Sequence, residues 1–85
     1  MAELSDALSP DTPLARVQRL WPTVAEALPV AQEATPTTLN NGVLTVACTA
    51  AVYAQEIALM SVEVVSAVNG AAREPLVRDL RVRTV

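Results

Sequence analysis

The fold is decided at residues 37–48, which read Thr37-Thr38-Leu39-Asn40-Asn41-Gly42-Val43-Leu44-Thr45-Val46-Ala47-Cys48. Asn and Gly adopt a positive φ at little cost, as the tight turns between antiparallel strands require, and β-branched residues flank this turn. The stretch therefore predicts a β-hairpin. In its second strand, alternate residues share a face that we expect to lie on the core: Leu44, Val46 and Cys48.

A helix is predicted before the hairpin, over residues 14–28. Its apolar residues recur at spacings of three and four: Leu14, Val17, Leu20, Trp21, Val24 and Leu28. Pro22 lies inside this pattern and has no backbone N–H, so we expect the helix to be interrupted, with a new first turn beginning at Trp21. Residues 1–13 contain two X-Pro pairs and little apolar periodicity, which predicts a flexible lead-in to a domain over residues 14–85.

A second, longer helix is predicted from Ala51 to about Asn69. Its apolar stripe consists of Tyr53, Ile57, Met60, Val64 and Val68. Gly70 follows this helix directly, and we expect it to adopt the left-handed conformation of a C-terminal cap.

The last element is predicted to be a half-buried strand within residues 76–85. Leu80 and Val82 fall on one side of it, whereas Asp79, Arg81 and Arg83 fall on the other. The element order is then α-β-β-α-β. The predicted fold class is α+β, with one three-stranded sheet packed against two helices.

The composition favours one folded domain with a modest acidic excess. A chain of 85 residues that is 52% apolar and 18% charged is long enough for one core and too hydrophobic for a disordered chain. Nine acidic residues against six arginines give a net charge of −3, which argues against an overall attraction to nucleic acid. The arginines are unevenly placed, however, since Arg73, Arg78, Arg81 and Arg83 lie near the C-terminus.

The sequence lacks the residue types that most catalysis requires. It contains no His, which removes the usual general base near neutral pH and most zinc sites. Its only glycines, Gly42 and Gly70, cannot form a phosphate-binding loop or a dinucleotide fingerprint. Glu56 and Glu63 would stand roughly 10 Å apart along a helix, too far for an acid/base pair. We therefore expect a non-enzymatic binding module with no cofactor, metal or small-molecule substrate.

The single cysteine and the charges point to a cytoplasmic protein. Cys48 cannot form an internal disulfide, and on the inner face of a strand we expect it to serve in packing. The N-terminus has neither the basic start nor the apolar run of a signal peptide. The apolar segment 43–68 contains Glu56 and Glu63, each of which costs roughly 2.5–3.5 kcal/mol at the centre of a membrane. We expect a soluble protein that does not span a membrane.

Several motifs in order resemble the DciA family. They are Trp21-Pro22, Ala34-Thr35-Pro36, Asn41-Gly42-Val43-Leu44-Thr45-Val46 and Tyr53-Ala54-Gln55-Glu56-Ile57. Members of that family typically read W-P-x-x-V-G, then T-x-P or A-T-P, then D-G-V-L-x-V, then an aromatic residue followed by A-Q-E-L. Glu26 stands where the family usually has Gly, and Tyr53 replaces a common Trp. The resemblance runs from about Leu14 to Val85.

The resemblance implies a KH-like topology and a role in bacterial DNA replication. Members of the family load the replicative helicase of the DnaB type. By resemblance, this protein would bind that helicase and single-stranded DNA, and would help to place the helicase ring without using ATP itself.

Two sets of candidate contact residues follow. The resemblance implies helicase contacts at Tyr53, Gln55 and Glu56, to which we add Trp21, because Trp is enriched at interfaces; Trp21 could equally fill the core. Arginine presents a fork of donors to phosphate, so nucleic-acid contacts are predicted at Arg16, Arg19, Arg73, Arg78, Arg81 and Arg83, and Arg81 and Arg83 share one strand face.

Two other functions remain open. A small adaptor or oligomerisation domain without nucleic-acid binding would suit the acidic charge. A degenerate KH-like RNA-binding module is the other, although the G-x-x-G loop is missing, since Gly70 is followed by Ala71, Ala72 and Arg73.

Overall fold

The computed structural model describes residues 12–84, which form three α-helices, a short 3₁₀ helix and three strands. The elements follow in the order α1 (Pro13–Ala27), the 3₁₀ helix (Pro29–Glu33), β1 (Ala34–Asn40), β2 (Val43–Cys48), α2 (Ala51–Leu59), α3 (Ser61–Ala72) and β3 (Asp79–Thr84). The predicted α+β class is confirmed, as is the single three-stranded sheet. The sheet packs against three helices rather than the two that the sequence predicts.

The sheet is mixed, with β2 in the middle. β1 pairs with β2 antiparallel, with Leu39 opposite Leu44, so the predicted hairpin is confirmed. β2 pairs with β3 in parallel, and Leu80 lies beside Leu44. The parallel pair needs a crossover, which α2 and α3 provide.

The hairpin turn has the geometry that Asn-Gly favours. Asn41 and Gly42 have φ values of 52° and 82°, as in the type I′ turn whose twist matches that of the strands. The Gly42 carbonyl accepts hydrogen bonds from the backbone N–H groups of Arg78 and Asp79, at 2.7 and 3.2 Å. The turn therefore also anchors the start of β3.

The core lies between the helices and one face of the sheet. Leu44, Val46 and Cys48 are fully buried, which confirms the predicted inner face of β2. The helices contribute further fully or almost fully buried side chains, from Val17, Val24, Ile57, Val64 and Val68. The opposite face of the sheet carries only exposed and half-buried residues, because the helices bury their apolar side chains on the other side.

The prediction of a new helical turn at Trp21 is wrong. α1 runs through Pro22 without interruption and begins instead at Pro13, where the Thr12 hydroxyl accepts a hydrogen bond from the N–H of Ala15 at 3.2 Å. Pro22 removes one donor, but Trp21 and Val24 on either side of it are both buried. Their packing outweighs one missing backbone bond. Pro13 thus belongs to α1 and Thr12 caps it, and the rest of the predicted lead-in lies outside the described residues.

The prediction of one long helix from Ala51 is also wrong, since α2 and α3 meet at Met60 with a bend of 75°. No Pro or Gly causes the bend. A straight helix over residues 51–72 would extend about 33 Å, whereas strands of six residues extend about 20 Å, so its far end would leave the sheet. The bend lets α2 pack on β2 and β3 while α3 packs on α1. The predicted stripe survives it, because Ile57, Val64 and Val68 are all buried.

Gly70 does not cap the helix, contrary to the prediction. α3 continues to Ala72, and Arg73 takes the left-handed conformation with φ 61°. The Asn69 side chain bonds both backbone groups of Val77 and so holds the loop that follows α3. The predicted strand is confirmed as β3, with Leu80 and Val82 half-buried and Arg81 and Arg83 exposed.

Within residues 12–84 no single helix has the length and apolarity to cross a membrane; only α2 and α3 taken together would, and they are bent by 75°.

Candidate binding surfaces

Trp21 lies in the core. Its side chain is 8% exposed, and its indole N–H donates to the backbone carbonyls of Ala31 and Ala34, at 2.9 and 3.0 Å. These bonds join α1 to the 3₁₀ helix and to the first residue of β1. Of the two interpretations of Trp21, its surroundings support the structural one.

The other three candidate helicase contacts lie on α2, and they point in two directions. Tyr53 is half-buried against the core. Gln55 and Glu56 are exposed and line a shallow groove together with Val52 and Leu59. We call this set, Val52, Gln55, Glu56 and Leu59, the α2 surface.

Large apolar side chains are unusually exposed on α2 and at the start of α3. Val52 is 63% exposed, Leu59 81% and Val62 76%. Val62 lies apart from the α2 surface, on a second groove of about 410 Å³ that also includes Val65, Asn69 and Arg78. The buried stripe of α2 does not use these residues, so their apolar character is not explained by the core.

Sequence analysis missed these apolar residues because it searched the helix for a buried stripe. One signal was available. Residues 52, 59 and 62 are apolar but fall off the stripe through Tyr53, Ile57 and Val64, and a helix of a globular domain normally carries polar residues there.

The six candidate arginines do not form one patch. Arg16 on α1 forms an ion pair with Glu74, which links α1 to the loop after α3. Arg19 is also on α1 and is exposed, and Arg73 caps α3. The Arg78 side chain lies against Gly42, so that a Cβ on Gly42 would come within 2.9 Å of the Arg78 Cγ.

Arg81 and Arg83 are the pair that the fold places together. They lie beside Thr45 and Ala47 of β2, on the sheet face opposite the helices of residues 12–84. Arg81 also lines a hollow of about 230 Å³ on that face. We call this face the sheet surface, and define it as Thr38, Asn40, Val43, Thr45, Arg81 and Arg83.

The sheet surface is suited to an extended anionic chain. It combines two guanidinium groups with hydroxyl and amide side chains from β1 and β2. Alternate residues of a strand stand about 6.6 Å apart, so Arg81 and Arg83 could each reach a separate phosphate. The surface has no aromatic side chain on which bases could stack.

Cys48 is buried in the core, and its thiol is unreactive. Its side chain is fully buried, and burial raises the pKa of its thiol, so the uncharged form predominates. The predicted packing role of Cys48 agrees with this. Among residues 12–84 no three side chains of the metal-ligating types gather into a cluster.

The fold and its surfaces define a small α+β domain that presents an apolar, acidic helix surface and an arginine-bearing sheet surface. The family model described as "Dna[CI] antecedent, DciA" matches residues 3–82, and the chain belongs to the DciA family. The resemblance inferred from the motifs is thereby confirmed. This family is linked to the loading of the DnaB helicase and is not a known family of enzymes. No curated protein matches the sequence.

Proposed function

We propose that this protein is a non-enzymatic accessory protein of bacterial DNA replication, which binds the DnaB-type replicative helicase and assists its loading on DNA. Membership of the DciA family over residues 3–82 is the observation that carries this proposal. A role at the replicating chromosome would place the protein in the cytoplasm.

Protein contact is the better supported half of the proposal. The exposed Val52 and Leu59 leave apolar area in water that a partner could cover, with Gln55 and Glu56 between them to set the orientation. The net charge of −3 and the absence of Lys also favour a protein partner over nucleic acid, because binding to nucleic acid depends mainly on positive charge.

DNA contact is proposed for the sheet surface. Arg81 and Arg83 together would neutralise about two phosphates, which predicts weak binding with a shallow salt dependence, a slope of about −1.4 in log K against log salt on a single strand. Such an affinity would suffice only if the helicase holds the strand nearby, since tethering raises the effective concentration of the second contact. DNA binding by this protein is then an aid to loading and not the source of affinity.

An adaptor that binds protein and no nucleic acid is the alternative with an observation in its favour. Acidic residues exceed basic ones, and Arg16 and Arg78 make contacts within the domain. A KH-like RNA-binding role is less supported, because Gly70 lies inside α3 and not in an exposed nucleotide-clamping loop.

Loading on a circular single strand tests the proposal. A ring cannot thread onto DNA that has no end, so helicase retained on the circle reports ring opening and closure. We expect the full chain to increase the retained helicase, and Arg81→Gln/Arg83→Gln to lower that gain while leaving capture of the helicase unchanged. Arg73→Gln is the matched control.

Three outcomes distinguish the functions. A gain that depends on Arg81 and Arg83 supports loading with DNA contact. A gain that these substitutions leave unchanged supports loading through protein contact alone. Capture of the helicase without any gain in loading would contradict the proposed loading role and would support the adaptor function instead.

A further inference from the structure

The α2 surface has the dimensions of a helix-docking site. Val52 and Leu59 stand seven residues apart, or about 10.5 Å along the helix axis, which is two turns on one side. Gln55 and Glu56 lie between them, and the four side chains line a groove of about 280 Å³. Positions i and i+7 are two of those through which an amphipathic helix packs on a partner, and the polar Gln55 and Glu56 occupy positions i+3 and i+4 between them.

The apolar side chains of this surface, Val52 and Leu59, do not pack in the core of the domain. The core-facing residues of α2 are Tyr53, Ala54 and Ile57. Val52 and Leu59 are 63% and 81% exposed, so neither adds much burial to folding. An isolated exposed apolar residue is ordinary, whereas two that flank one groove leave adjacent apolar area that a partner could cover.

The charge of the surface restricts what can cover it. Residues 51–72 contain Glu56 and Glu63 and no basic residue. A partner that buries Val52 and Leu59 also brings Glu56 out of water, which is costly unless a cation pairs with it. The complementary partner therefore presents apolar residues and at least one Lys or Arg on the same face.

Neither residues 1–11 nor the sheet surface of a second copy supplies that partner. Residues 1–11 contain Glu3, Asp6 and Asp11 and no basic residue, so their charge has the same sign as that of the α2 surface. The sheet surface of a second copy has the right charge in Arg81 and Arg83, but it is otherwise lined mainly by Thr and Asn. Its one apolar residue, Val43, is half-buried, so the sheet surface offers little apolar area to cover Val52 and Leu59.

We propose that the α2 surface binds a basic amphipathic helix of a partner protein, with apolar residues packed on Val52 and Leu59 and a Lys or Arg paired with Glu56. The assignment of that helix to the replicative helicase rests on the proposed function. The predicted chemistry of the partner, apolar residues with a Lys or Arg, depends only on the residues of the α2 surface.

The first arm of the test measures capture of the replicative helicase by the immobilised full chain. We expect Val52→Ser/Leu59→Ser to weaken capture at least about tenfold, as truncation of central apolar contacts does, and Glu56→Lys to weaken it further. Val62→Ser is the control, because the exposure of Val62, 76%, lies between those of Val52 and Leu59, and Val62 lines a different groove. Circular dichroism confirms that the variants fold.

The second arm replaces the helicase by a synthetic amphipathic helix of Leu and Lys, titrated into the isotope-labelled protein. We expect its amide shifts to concentrate at residues 52–59, and the twin peptide of Leu and Glu to give none there. A mass measurement of the free protein records whether a second copy occupies the surface.

The two arms separate failure of this inference from failure of the proposed function. The inference is overturned if Val52→Ser/Leu59→Ser captures the helicase as well as the parent does. It is also overturned if Val62→Ser weakens capture as much as the double substitution does. Either result leaves the proposed function intact. No capture by the parent, together with basic-peptide shifts on α2, overturns the helicase role and supports the surface. A dimer that Leu59→Ser abolishes, or equal shifts with both peptides, overturns the assignment of a basic helix.

Discussion

The Asn69 side chain holds Val77 by both of its backbone groups: Nδ2 donates to the Val77 carbonyl at 2.7 Å, and Oδ1 accepts from the Val77 N–H at 2.8 Å. This paired contact satisfies the backbone groups of the loop before β3, as a neighbouring strand would do in a sheet. Because Val77 is 2% exposed, both of its backbone groups lie where water has little access.

Asn69→Ala should therefore lower the free energy of unfolding by about 2 kcal/mol, since it removes two hydrogen bonds and leaves two backbone groups unpaired. Chemical denaturation measures the change. Ser66→Ala, an exposed substitution one turn earlier on α3, is the control and should change stability by less than about 0.5 kcal/mol. Equal losses in the two variants would contradict the contact.

Gly70→Ala should stabilise the protein by up to about 1 kcal/mol, because Gly70 lies inside α3 and a Cβ there would meet nothing within 4 Å. Thermal unfolding gives the sign of the change. The interpretation of Gly70 as a left-handed cap predicts the opposite sign, so a lowered melting temperature would favour that interpretation.

Gly42→Ala should destabilise the protein for two separable reasons. Alanine at φ 82° costs about 1–2 kcal/mol, and its Cβ would also come within 2.9 Å of the Arg78 Cγ. In an Arg78→Ala background the steric part disappears and the backbone part remains. Denaturation measures the cost of Gly42→Ala in both backgrounds, and this cost should be smaller in the Arg78→Ala background. An equal cost would show that the Arg78 side chain moves aside without strain.

Trp21→Phe distinguishes a core role from a partner contact. It leaves the buried carbonyls of Ala31 and Ala34 without the indole N–H, which should lower the free energy of unfolding by about 2 kcal/mol. Under conditions where the variant remains folded, its affinity for the helicase should match that of the parent. Unchanged stability with a marked loss of affinity would instead make Trp21 a contact residue.

The parts of the fold that local sequence determines were predictable. Asn41-Gly42 set the hairpin, and the alternation in β2 and β3 set which residues face the core, because both depend on neighbouring residues only. The bend at Met60 was not predictable from residues 51–72, which contain no Pro and carry one continuous apolar stripe across the bend. It depends on the length of the sheet and on the position of α1, neither of which is encoded within that segment.

The candidate site divides in the same way. Gln55 and Glu56 could be found through the DciA motif, and their pairing with Val52 and Leu59 follows once the buried stripe of α2 is known. The separation of the arginines was not visible in the sequence. Arg78 lies on the hairpin turn and Arg16 pairs with Glu74, and both contacts join residues distant along the chain.

Mass measurement of the mixed native proteins shows whether this protein binds the replicative helicase. We expect a saturable complex between the helicase and the full chain that persists at moderate salt, because apolar contact on the α2 surface adds to the attraction between charges. A helicase whose mass is unchanged at saturating concentrations of the chain would contradict the proposed function.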